Sequence, residues 1–107
     1  MNNVKTFEKL VRDRIPEIIE SKGEKVVTRI LDDPEYRLRL LEKLIEEAKE
    51  LFNDPSKEEV ADVLEVLESI CEIFGYKPEE IQKVKKEKQQ KRGGFKNKIF
   101  LEKTYQE

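Results

Sequence analysis

Two runs of apolar residues at helical spacing, separated by one break, limit what this chain can fold into more than any other feature. Leu38, Leu41, Leu44, Ile45, Ala48, Leu51 and Phe52 recur every three or four positions. Asn53-Asp54-Pro55-Ser56 interrupts the pattern; Val60, Val63, Leu64, Leu67, Ile70, Cys71 and Phe74 then resume it as far as Gly75. Two helices of roughly 20 residues joined by so short a turn must lie antiparallel. The fold class is therefore all-α, an antiparallel helical hairpin with flanking helices.

The flanks carry their own punctuation. Pro16 fits the first turn of a short helix within residues 7–22, and Gly23 stands where a C-terminal cap belongs. Asp33-Pro34 supplies an N-cap and a first-turn proline for the first long helix. Lys77-Pro78-Glu79-Glu80 opens a further helix that turns basic and ends at Gly93-Gly94. VVTRIL (26–31) has the β-branched richness of a short strand, and a pairing with residues 98–103 would give a two-stranded element. The 107 residues suit one domain spanning 1–107.

At 36% hydrophobic and 43% charged, the chain has a thin core, which favours burial of apolar surface between subunits in a homo-oligomer, a dimer or tetramer. Its net charge of −2 conceals an asymmetry. Residues 42–80 carry thirteen acidic and four basic side chains, whereas residues 83–98 carry eight basic and one acidic. Histidine is absent, so any catalysis must rest on carboxylates, lysines or a hard metal ion. The single Cys71 excludes an intramolecular disulfide. MNNVKTFEKL has no apolar signal region and no run is long enough to span a membrane, so a cytoplasmic protein is expected.

The acidic residues nearest the break are the candidates for chemistry. Glu47/Glu50 and Glu59/Asp62 are each spaced i, i+3, which puts two carboxylates on one strip of each helix. With the apolar stripes centred on Ala48 and Leu67, both strips fall on flanks that converge across the turn-proximal part of an antiparallel hairpin. Carboxylates so gathered repel one another unless cations neutralise them, and oxygen-only ligands select Mg²⁺ or Mn²⁺. Val66 and Ile73 share the flank of Glu59 and Asp62, so that flank is not simply solvated. A structural alternative stands beside this: Ser56 and Glu59 have the form of a capping box.

Glu46-Glu47-x-x-Glu50 followed by Glu59-x-x-Asp62 resembles the EExxE…ExxD signature of the MazG-like all-α nucleotide pyrophosphohydrolases. KLVRDRIPEIIESKG (9–23), RILDDPEYRLRLLEKLIEEAKEL (29–51) and KRGGFKNKIFLEK (91–103) resemble the motifs of its phosphoribosyl-ATP pyrophosphohydrolase-like, house-cleaning branch. The resemblance implies hydrolysis of a nucleoside triphosphate, canonical or noncanonical, between the α and β phosphates to a monophosphate and pyrophosphate. It implies Glu47, Glu50, Glu59 and Asp62 as Mg²⁺ (or Mn²⁺) ligands. Glu46 and Glu47 are then the catalytic carboxylates, Glu46 polarising the attacking water. Arg12, Arg14, Lys91 and Arg92 are candidates for gripping phosphate.

Two other functions compete. The basic arm over 83–98 would serve a polyanion or nucleic-acid module, yet it lacks a recognised motif and interleaved aromatics, which makes nucleic acid the weaker partner. A non-catalytic helical adaptor would leave the acidic residues as plain surface.

Overall fold

The computed structural model describes residues 3–107. Four helices follow in order, α1 (Ile15–Ser21), α2 (Asp33–Asn53), α3 (Lys57–Phe74) and α4 (Pro78–Arg92), with no strand among the described residues. The fold is all-α. No helix among the described residues is long and apolar enough to cross a membrane. By contact the chain groups into two compact units, Met1–Gly75 and Tyr76–Glu107.

In the first unit, sequence punctuation becomes capping geometry. Pro16 lies in the first turn of α1, and Gly23, at φ +94°, returns its N–H to the Glu20 carbonyl at 3.0 Å. The N-cap of α2 is Asp32, one residue before the expected Asp33: its Oδ1 accepts from the Glu35 N–H at 2.9 Å. Pro34 keeps its first-turn place. Ser56 caps α3, and Gly75 ends it in the left-handed conformation at φ +79°, which costs a residue without Cβ little.

α2 and α3 run antiparallel, and the Arg37 guanidinium near the start of α2 lies 5.9 Å above the Phe74 ring at the end of α3. The buried side chains of the pair are Leu40, Glu47 and Val66. This corrects the expected inward face. Leu41, Ile45 and Phe52 on α2, and Val60, Leu64 and Leu67 on α3, remain exposed; Ala48, the expected centre of the stripe, is exposed as well. At about 100° per residue both exposed sets lie roughly 110–120° round from the buried ones, on the same side of the hairpin. The helices thus meet through the flank that carries the acids, and an apolar face is left over.

The expected strand pair does not form. Residues 24–32 run without regular structure, Val27 and Ile30 are fully exposed, and the Arg29 guanidinium forks onto both Glu35 oxygens at 3.0 and 2.7 Å. Residues 99–103 are likewise irregular, with Ile99, Phe100 and Leu101 exposed. β-branched composition favours a pleated surface only where a neighbouring strand completes it.

The second unit is simpler. α4 opens at Pro78 with Glu79 and Glu80 in its first turn and closes with Lys91 and Arg92 in its last, an arrangement that suits the helix dipole at both ends. It buries no side chain, so this segment is a charged, solvated helix.

Candidate metal centre

The three-residue link between α2 and α3 sets the last turns of one helix beside the first turns of the other. Five acids meet there in two overlapping groups. Carboxylate oxygens of Glu46, Glu47 and Glu50 lie within 4.8 Å of one another, as do those of Glu47, Glu59 and Asp62. Glu47 belongs to both, and the expected convergence of the two acidic strips is present.

Glu47 is also the most confined of the five, at 7% exposure. Its Oε1 lies 3.4 Å from the Lys43 ammonium one turn earlier. Its Oε2 is buried without a hydrogen-bond partner, and so is the Oε2 of Glu59. A buried carboxylate oxygen lacking a donor is costly, and the interiors of folded proteins rarely keep one. Both are buried acceptors that no donor among the described residues reaches.

Capping does not account for Glu59. Ser56 Oγ accepts from the Glu59 N–H at 3.3 Å, but the Ser56 N–H donates to the Asp54 carbonyl at 2.7 Å. The reciprocal half of a capping box, in which the glutamate carboxylate would reach back, is missing.

The electrostatics follow the geometry. Burial pushes the Glu47 carboxyl above the usual glutamate range, the neighbouring Glu50 adds to this, and Lys43 only partly opposes it. Glu59 is also raised, by burial first and then by Asp62, Glu47 and Asp54. Glu46 moves the other way: burial opposes the shift, but Lys43 and Lys9 together hold it below the usual range. Protons therefore compete for the inner carboxylates, and Glu46 remains an anion.

Among the described residues, three cations reach this cluster. Lys43 Nζ lies 3.3 Å from Glu46 as well as 3.4 Å from Glu47. Lys9 Nζ lies 3.4 Å from Glu46 Oε1, and Arg12 Nη2 donates to Asp62 Oδ1 at 2.7 Å. Among the basic residues picked from sequence, Arg12 is thus at the acidic site. Arg14 is not: its guanidinium pairs with Glu17 of α1 at 2.8 and 3.0 Å. Lys91 and Arg92 stand exposed on the last turn of α4, in the second unit. Lys9 and Lys43 were missed. Lys43 is legible after the fact from its i+3 and i+4 spacing to Glu46 and Glu47; for Lys9, 37 residues from its partner, no periodicity gives a signal.

The donor set is all oxygen and four or five carboxylates strong, with two buried acceptors unpartnered. That chemistry fits a hard divalent cation rather than a soft one.

No protein-family model and no solved structure matches the chain. A 42-residue stretch is 55% identical to an uncharacterized protein of Mycolicibacterium smegmatis, covering 39% of this chain and 43% of that one. The matched part is less than half of either protein.

Proposed function

We propose that this chain is a divalent-metal-dependent nucleotide pyrophosphohydrolase of the MazG-like kind, converting a nucleoside triphosphate to its monophosphate and pyrophosphate in the cytoplasm. The observation that carries the proposal is Glu47: buried, shared between two groups of carboxylates, and holding an unpartnered oxygen. A solvated surface does not explain such an atom.

Glu47, Glu50, Glu59 and Asp62 are the residues that would hold Mg²⁺ or Mn²⁺. When bound, the metal neutralises polyphosphate charge and lowers the pKa of a coordinated water. The chain's own residues divide the remaining work. Glu46, kept anionic by Lys43 and Lys9, orients the attacking water by accepting its hydrogen bond. Its lowered proton affinity makes it a better positioning group than proton acceptor. Arg12 offers a planar guanidinium suited to phosphate oxygens that the acids do not face.

A second copy of the chain completes the proposal. Leu41, Ile45, Ala48 and Phe52 on α2 repeat at three- and four-residue steps, as do Val60, Leu64, Leu67 and Cys71 on α3. That is the seam of a helical bundle, and two hairpins sharing it would form four helices around one core.

The test is pyrophosphate release from a panel of ordinary and modified nucleoside triphosphates with Mg²⁺ or Mn²⁺, comparing the wild type with Glu47→Gln. Equimolar monophosphate and pyrophosphate that disappear in the variant support the proposal. Absence of release, with no shift of melting temperature by metal and nucleotide, returns the chain to a helical adaptor.

A further inference from the structure

Residues 9–12 cross the acidic site from outside and touch both of its helices. Lys9 reaches Glu46 on α2, and the next two residues, Leu10 and Val11, are half-buried before Arg12 reaches Asp62 on α3. The two ion pairs span 37 and 50 residues of sequence, so they are tertiary choices rather than accidents of helical spacing. The carboxylates they occupy are those at the rim. The inner oxygens, Glu47 Oε2 and Glu59 Oε2, have no partner.

These two cations differ in kind from Lys43. Lys43 is held within α2 with a side chain 17% exposed, and it reaches its acids along its own helix. Lys9 and Arg12 are 44% and 54% exposed and belong to a segment without regular structure. Among the described residues, no backbone hydrogen bond ties residues 3–11 to α2 or α3. Their polar hold on the site is therefore by side chains, with Leu10 and Val11 half-buried between them. Exposed ion pairs of this type are weak and easily exchanged, whereas a divalent cation binds carboxylates more strongly than a single guanidinium does.

We propose that residues 9–12 form a displaceable countercharge strap: Arg12 and Lys9 neutralise Asp62 and Glu46 while the site lacks a divalent cation, and turn to the ligand's phosphate oxygens once the metal supplies that countercharge. This rests on the metal-cage reading above. Arg12 is the principal member, because Asp62 belongs to the group that joins Glu47 and Glu59 and because its fork matches phosphate geometry. Lys9 is the second; it also lines a cleft of about 170 Å³ with Arg39 and Lys43 and the acids Glu8, Glu42 and Glu46.

The strap makes opposite demands on two ligands, which gives the test its sign. Mn²⁺ binding is measured on the full chain by calorimetry, then inorganic pyrophosphate binding to the Mn²⁺-loaded protein, with folding checked by circular dichroism. Arg12→Gln removes a competitor, so Mn²⁺ affinity rises about two- to fivefold, while pyrophosphate affinity falls about tenfold. Lys9→Gln shifts both in the same directions, which keeps the test open should Arg12→Gln fold poorly. Arg12→Lys stays near wild type for Mn²⁺. A loss or constancy of Mn²⁺ affinity in both Gln variants overturns the strap and makes these residues static supports, as does an unchanged pyrophosphate affinity. Failure of the cage itself looks different: Mn²⁺ then binds neither variant nor wild type, or binds Glu47→Gln as tightly as wild type, and both inferences fall.

Discussion

Replacing Glu47 by glutamine tests the site without any substrate, because the sign of the stability change depends on what the residue is for. Like charges 4.8 Å apart oppose each other by about 1 kcal/mol even at the dielectric of water, and Glu47 has four carboxylates within that distance. The Lys43 ammonium, at 3.4 Å, offsets roughly one of them. Burial adds the cost of a charged oxygen without a donor, of order 1–3 kcal/mol. Glutamine keeps the shape and can still accept from Lys43 while shedding the charge. Allowing for the desolvation of its amide, Glu47→Gln should stabilise the metal-free protein by about 1–2 kcal/mol, or roughly 4–8 °C in melting temperature for each kcal/mol in a unit of this size. A divalent cation at a hundred times its dissociation constant should reverse the order, adding about 2.7 kcal/mol to the wild type alone. The assay is thermal unfolding followed by circular dichroism, in EDTA and then in Mg²⁺ or Mn²⁺. A variant less stable than wild type in EDTA, with an undiminished response to metal, would show that Glu47 is an ordinary structural residue.

Other outcomes follow from the same structure. In EDTA, the raised carboxyls of Glu47 and Glu59 contribute stability below the usual glutamate pKa that is lost as pH rises through their folded values. Melting temperature should therefore climb as pH falls from neutral toward that range, less steeply in Glu47→Gln; the depressed Glu46 works the opposite way at lower pH still. Ser56→Ala removes the acceptor for the Glu59 N–H and should cost about 0.5–2 kcal/mol by denaturant titration, leaving Mn²⁺ binding in place; loss of binding would tie Glu59 to the cap instead. Ile45→Lys with Leu64→Lys should yield a monomer by sedimentation velocity if the wild type sediments as an oligomer through that face. An unchanged sedimentation coefficient would remove the face from the assembly.

Much of the hairpin was legible because its signals are local. Periodicity over 38–52 and 60–74, the Asn53–Ser56 break and the glycine at 75 act within a few residues of where they take effect, and the helix bounds follow them. The acidic cluster was legible for the same reason: i, i+3 spacing on two helices joined by a short link leaves few places for the carboxylates to go. What failed was the choice of buried face. The apolar stripe marks which side of a helix avoids water, yet Leu41, Ile45 and Leu64 are exposed while Glu47 is buried. Hydrophobicity alone does not say whether a stripe faces the neighbouring helix or something further off. VVTRIL misled because strand propensity needs a partner strand. Lys9 was invisible because a contact 37 residues away leaves no periodic trace.

The link of three residues between α2 and α3 also bears on how the protein assembles. Closing so small a loop has a low entropic cost, so the hairpin, and with it all five acids, can form from neighbouring sequence early in folding. The Arg12–Asp62 contact closes a loop of 50 residues and has no helix of its own to hold it. It should arrive last and fray first. Hydrogen exchange would then find α2 and α3 protected together as one cooperative unit, with residues 3–12 exchanging freely while the acidic site is still whole.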